Sequence, residues 1–276
     1  MKRNVLLLLA VTMLASCSSD KDEEPLVEPL RFPQVVYGSE GVHDWVDLGL
    51  PSGLKWATMN VGAEKVSDYG KYYAWGETKA YGEEDITNER NYSYMQEKTH
   101  TKTLYNEYTY KWAKVDSRES GYTKYSSLNV SLNPEDDAAV QNWGGRWRMP
   151  SHAEQDELVK YCYRVWTSDY AGTGVAGCIV YAAKSVLDRG KIEEQNIYVS
   201  SCSYTLDDAH IFLPAAGIRS RSEEWKTDDR WGYYWSSTSD VEEERNADCF
   251  LVNSNNLSYC GVFGRCVGMP VRAVCE

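Results

Sequence analysis

The chain has 276 residues, with 29 Lys and Arg against 41 Asp and Glu for a net charge of −12. A surface so biased repels phosphate backbones and anionic headgroups, which sets aside nucleic acid and heparin-like polyanions as partners. No period of about 20 to 50 residues recurs, so solenoids and propellers are excluded.

At the start of the chain, Lys2 and Arg3 supply a positive region, residues 5–13 a short apolar run, and Leu14-Ala15-Ser16-Cys17 a lipobox. Crossing a bilayer core takes about 20 apolar residues, so the run reads as a secretory signal and not as a transmembrane helix. Cleavage before Cys17 and its acylation are expected, and several acyl chains on one cysteine hold a protein stably on a membrane. The next segment, Ser18-Ser19-Asp20-Lys21-Asp22-Glu23-Glu24-Pro25, is charged and lacks apolar residues, so it stays solvated. Residues 1–17 are therefore read as a lipoprotein signal, 18–41 as a flexible acidic tether and 42–276 as one folded domain. The acidic run also resembles the export tag of Bacteroidetes-type surface lipoproteins, which implies an outer-membrane protein facing the cell exterior.

Within the domain, Trp45-Val46-Asp47-Leu48-Gly49-Leu50 alternates, Pro51-Ser52-Gly53 is a turn, and residues 54–61 alternate again, the pattern of a β-hairpin. Residues 72–77 are strand-like aromatics stopped by glycine. From Tyr81 to Tyr125 the chain is polar, dotted with tyrosine and without a clean period, so it reads as a long loop or irregular insertion. A first helix is expected over 134–142, capped by Asn133, opened by Pro134 and carrying Glu135, Asp136 and Asp137 in its first turn. A second opens at the capping box Ser151-His152-Ala153-Glu154, with Leu158, Cys162 and Val165 on one face. Strands are expected at 211–217, 232–238, 249–252 and 271–274. Strands on both sides of two helices, without strict βαβ alternation, make an α+β domain.

Four groups of segments, in this order, resemble one family. They are residues 46–53 with 55–62; Tyr73-Ala74-Trp75-Gly76-Glu77-Thr78; Trp143-Gly144-Gly145-Arg146-Trp147-Arg148-Met149-Pro150-Ser151 with Glu154, Glu157 and Leu158; and residues 212–217, 234–238 and 271–274. The likeness is to the Fibrobacter succinogenes major paralogous domain and spans about residues 42–276. It implies a C-type lectin-like fold, with small antiparallel sheets, two flanking helices and long loops, whose first hairpin (45–61) pairs with its last strand (271–274). It implies less about activity, because such a fold hosts glycan binders, protein binders and enzymes.

The motifs weigh against chemistry. Calcium-dependent sugar binding in C-type lectins uses a Trp-Asn-Asp triplet, and here the corresponding residues are Trp235-Ser236-Ser237. The acidic residues 135–137 are explained by a helix start, and Asp207-Asp208-Ala209-His210 reads as a surface loop rather than a metal site. Arg148-Met149-Pro150-Ser151-His152-Ala153-Glu154 is similar to a segment of formylglycine-generating enzymes, and Cys266 and Cys275 invite comparison with their reactive pair. The surrounding pattern does not match. Besides Cys17 the chain carries Cys162, Cys178, Cys202, Cys249, Cys260, Cys266 and Cys275, an odd number, so one thiol is left over or pairs between molecules. In disulfide-bonded C-type lectins the final strand is bridged to the first helix; that helix has no cysteine here, and the resemblance leaves Cys162–Cys275 as the pairing to test.

Tyrosines crowd residues 69–125, together with Trp75 and Trp112. Rigid amphipathic rings suit an adhesive surface, and they equally pack an insertion onto a core, which is the plainer account. The function expected is a surface-anchored, non-catalytic binding or adhesion module for glycan or a surface protein, working without cofactor or metal. Its candidate binding residues are Trp75, Tyr92, Tyr94, Tyr108, Trp112, Trp225 and Trp231. The alternatives are a structural subunit or cap of a fimbria-like surface assembly and, less favoured, an enzyme of the formylglycine-generating type.

Overall fold

The computed structural model describes residues 32–33, 36–80, 110–114, 121–186, 188, 192, 204–220, 223–225, 230–255 and 258–276. Among these residues it is an α+β structure dominated by small antiparallel sheets.

The expected hairpin forms. Strand β2 (His43–Asp47) pairs with β3 (Lys55–Ala57), and the connection is closed by the Gly53 N–H donating to Leu50 O at 3.0 Å. Gly53 sits there at φ +76°, which glycine alone adopts without strain. An unforeseen strand, β1 (Tyr37–Glu40), pairs with β2, so residues 37–40, read as part of the 18–41 tether, belong to the sheet. Short strands of serine, glycine and charge carry little local signal, and β1 is defined by its partner. The chain's end closes the same sheet: β12 (Val274–Cys275) pairs with β3, with Val274 opposite Trp56. The contact continues past the strands, through Ala57 N–H to Ala273 O and Val61 N–H to Val271 O, each at 2.9 Å. The pairing of first hairpin and last strand is therefore present.

Helices depart from the expected boundaries. Residues Pro134–Asp136 form only a 3-10 turn, and Asn133 makes no side-chain cap. The cap is Asp137, whose Oδ1 accepts from Ala139 N at 2.8 Å and Val140 N at 3.0 Å to start α1 (Ala138–Trp143). Helix α2 (His152–Tyr161) opens on the expected capping box. It stops at Tyr161, because Arg164 folds back and donates to the carbonyls of Leu158 and Val159, closing the helix end. Cys162 and Val165 therefore belong to strand β4 (Cys162–Thr167), not to the helix face.

Strand β4 pairs with β5 (Gly177–Ala182), and β5 with β6 (His210–Pro214). A two-stranded ribbon joins β7 (Ile218–Ser220) and β8 (Glu223–Trp225). The longest strands form the third sheet, β9 (Trp231–Ser239), β10 (Asn246–Asn253) and β11 (Ser258–Gly264). Both faces of that sheet are covered. Tyr233, Trp235, Cys249 and Leu251 point into one core cluster, with Trp75, Trp147 and Met269; Tyr234, Phe250 and Val252 point into another, with Leu50, Trp56 and Leu158. Alternating residues into two cores explains why β9 and β10 read as unbroken apolar and aromatic runs.

The same geometry corrects the cysteine pairing. Cys275 packs in the first cluster as a free thiol, and Cys162 packs in the second, so no bridge joins them.

Candidate recognition surface

The aromatics singled out in the sequence do not form one surface. Trp75 is fully buried, its indole N–H donates to Ser236 O at 2.9 Å, and the Arg265 guanidinium lies 4.6 Å from its ring centre. It is a core residue. Trp112 is half-buried against Gly76, and the ammonium groups of Lys111 and Lys124 lie 4.4 and 5.1 Å from its ring centre. Both lysines reach the buried Asp136 carboxylate, which also accepts from Tyr125 Oη at 2.6 Å. Burial works to raise the Asp136 carboxyl, but the Lys124 and Tyr125 hydrogen bonds outweigh it and hold it below its ordinary value. Trp112 thus sits beneath a closed ion cluster. Trp231 is half-buried and stacks on Tyr233, and the backbone of Trp225 lies in β8. Tyr92, Tyr94, Tyr108 and the side chain of Trp225 lie outside the described residues.

The described part of the tyrosine-rich stretch is packing. Tyr72 and Tyr110 are buried, donating to Ala216 O at 2.5 Å and to Trp75 O at 2.6 Å. Residues 72–77, read as a strand, contribute one bridge, Tyr73 to Met269. The loop reading of Asp207 to His210 holds for residues 207–209, where Lys184 pairs with Asp208 at 2.8 Å, whereas His210 opens β6. The His210 ring nitrogens contact Asp208 O and Tyr170 Oη at 2.7 and 3.0 Å.

A different group of rings reaches the surface, at the tip of the β1–β2 hairpin. His43 stacks on Trp143 with ring centres 3.8 Å apart and planes 15° from parallel, and Trp147 meets both edge-on. Trp147 is the buried footing, at 2 % exposure, whereas His43 and Trp143 are half-buried and reach solvent. Two residues along β2, Trp45 lies flat across Gly38, where any added Cβ would come within 2.2 Å of the indole. Glycine at 38 is what lets the ring lie down. Lys55 Nζ is 5.7 Å from the centre of that ring.

Polar groups frame these rings. The Arg146 guanidinium grips Glu40 through Nε at 3.1 Å and Nη2 at 2.6 Å, and Trp147 Nε1 donates to Glu40 O at 3.0 Å. The Arg146 hydrogen bond holds the Glu40 carboxyl below its ordinary value. Ser39 Oγ donates to Asp44 Oδ1 at 2.7 Å, and Val42 stands 88 % exposed at the turn. Burial lowers the His43 imidazole, with the Asp44 charge opposing, so His43 is neutral at pH 7 and presents an aromatic face. Flat rings bordered by a carboxylate, a guanidinium and a hydroxyl can stack on a sugar ring or an apolar side chain and hydrogen-bond its edge.

Sequence reading used Trp45, Trp143 and Trp147 only as strand, turn and family residues. The signal that marks them is the pair Trp143 and Trp147 on either side of Gly144-Gly145, a turn that brings two indoles together.

Elsewhere, His152 Nδ1 lies 3.1 Å from Asp248 Oδ2. Among the described residues no group of three His, Cys, Asp or Glu side chains converges on a metal position, and no helix is long and apolar enough to cross a membrane. No family model, curated protein or solved structure matches the chain.

Proposed function

We propose that this chain is a lipid-anchored, non-catalytic binding module of the outer-membrane surface, with a C-type lectin-like domain that recognises a glycan or a surface protein. The observation that carries the reading is the half-buried His43–Trp143 stack, footed on buried Trp147 and bordered by the Glu40–Arg146 pair, with Trp45 two residues along β2. Support for the anchor comes from the lipobox at Leu14 to Cys17, and for the lectin-like reading from the hairpin closed by β12. Large rings whose rotamers are already fixed by stacking lose little entropy when a ligand docks, which favours recognition.

Purified lipoprotein, screened on glycan and extracellular-protein arrays, is expected to show binding that falls about tenfold or more in a His43→Ala, Trp143→Ala double variant. Binding that survives both that change and Trp45→Ala would discard this surface. The anchor is tested separately: Cys17→Ser is expected to move the protein out of the membrane fraction and to abolish incorporation of labelled fatty acid.

A further inference from the structure

The β9–β10–β11 sheet has two borders, and the fold treats them differently. Along β9 the outer hydrogen bonds are taken. Gly217 N–H donates to Trp231 O at 2.9 Å, Trp235 N–H to Pro270 O at 3.2 Å, Ser237 N–H to Pro150 O at 2.7 Å and Ser239 N–H to Val130 O at 2.8 Å. Along β11, among the described residues, no backbone hydrogen bond reaches residues 258–263 from the side away from β10.

Proteins blunt exposed edges with charge, proline, shortness or an inward-pointing charged residue. Two other edge strands are blunted in these ways: β1 is four residues long and ends on Glu40, and β4 buries Arg164 near its middle. Strand β11 has none of them. Its seven residues, Ser258-Tyr259-Cys260-Gly261-Val262-Phe263-Gly264, carry no charge and no proline, and Tyr259 and Val262 are 46 % and 47 % exposed.

We infer that two copies of this chain associate by pairing β11 with β11, antiparallel about a twofold axis. The strip's own sequence selects this occupant, because paired about Gly261 it sets aromatic against aromatic. At a net charge of −12 the surface repels its own kind, and a like-charged copy approaches at least cost along a strip without charge. An oppositely charged partner finds nothing on that strip to recognise. Register follows from the sequence: with Gly261 on the axis, Tyr259 faces Phe263 of the second copy and Cys260 faces Val262. Aromatic pairs of this kind stabilise antiparallel sheets. The Tyr259 ring already leans over Gly261, within 3.2 Å of where a Cβ would stand, so the axis is free of any other side chain. Since the β9 border is occupied, each sheet offers one border, and the assembly closes at two instead of growing into a fibre. This association is independent of the ring group at the β1–β2 hairpin.

Sedimentation equilibrium of the full-length lipoprotein in density-matched micelles tests it, at protein concentrations up to about 0.1 mM. The wild type is expected to pass from one copy to two, and more readily at about 0.5 M than at about 0.05 M salt, since screening relieves like-charge repulsion. Val262→Lys, at an exposed position, is expected to weaken the dimer about tenfold or more, while Val42→Lys at the hairpin tip leaves it unchanged. Amide exchange within 258–264 should slow as the wild-type concentration rises and not in Val262→Lys. A wild type that stays monomeric, including one that captures a strand of another protein, overturns the inference; so does a dimer that Val262→Lys leaves intact.

Discussion

Asp248 is a carboxylate in an awkward place: its side chain is 7 % exposed on β10, facing the start of α2. Burial pushes its pKa up to about 6, and the nearby Asp240 charge adds to the shift, while His152 opposes it. The His152 ring, 3.1 Å away, lowers the carboxyl by less than burial raises it. A carboxyl whose folded pKa lies above its unfolded value binds its proton more tightly when folded. Its contribution to stability is therefore complete below about pH 4 and is lost as the pH rises through about 6. Asp248→Asn keeps the shape without the charge and is expected to be more stable than the wild type at pH 7 by about 1–2 kcal/mol. That advantage should vanish by about pH 4 in urea titrations across this range. An advantage that grows towards low pH would show that the carboxylate is stabilised, not strained, in the fold.

At the scale of elements, two capping residues of similar chemistry do unequal amounts of structural work. Ser151 caps α2 through one hydroxyl, completed by Glu154 accepting from Ser151 N at 2.7 Å. Asp137 holds three backbone N–H groups, two in α1 and, through Oδ2, that of Met149 at 2.8 Å. Ser151→Ala is expected to cost about 1 kcal/mol, and Asp137→Ala about 2–3 kcal/mol, because it leaves buried donors unpaired as well. Chemical denaturation of the two variants, compared with Asn133→Ala as a near-neutral reference, checks the order. The capping box was legible because all its parts lie within four residues. Asn133 drew the cap to the wrong place since it too is a capping type before a proline, and nothing local shows that Asp137 also reaches Met149. Leu158, Cys162 and Val165 match a helical face by spacing, and the back-folded Arg164 side chain closes the helix after Leu158 and before the other two. Composition marked Trp75 and Trp112 as aromatic, but the partners that bury or cover them, Ser236, Arg265, Lys124 and Asp136, are far along the chain or belong to another element.

Over the whole molecule, the end of the chain locks its beginning. Val271, Ala273, Val274 and Cys275 are fully buried, and β12 runs between β3 and the segment at Arg148, whose N–H and C=O both bond Val274, at 3.0 and 2.9 Å. Arg272, 1 % exposed, is solvated by neutral oxygens. Its Nε donates to Asn60 Oδ1 at 2.9 Å, Nη1 to Ala57 O and Thr58 O at 3.1 Å each, and Nη2 to Phe212 O at 2.7 Å. One guanidinium thereby ties the loop after β3 to β6, and its loss leaves those buried carbonyls without their donor. Burial lowers the Arg272 pKa to about 10, still high enough to keep the charge at pH 7. Deleting residues 271–276 removes this cation, uncovers the edge of β3 and strips apolar side chains from both core clusters. Marginal stability of roughly 5–15 kcal/mol for a domain cannot absorb all three losses. The truncated chain is expected to lose cooperative thermal unfolding and to be cleaved throughout by a broad-specificity protease under conditions that leave the full chain intact. A truncated protein that still melts in one sharp transition, within a few degrees of the full chain, would show that the hairpin and the three-stranded sheets hold the fold without their closing strand.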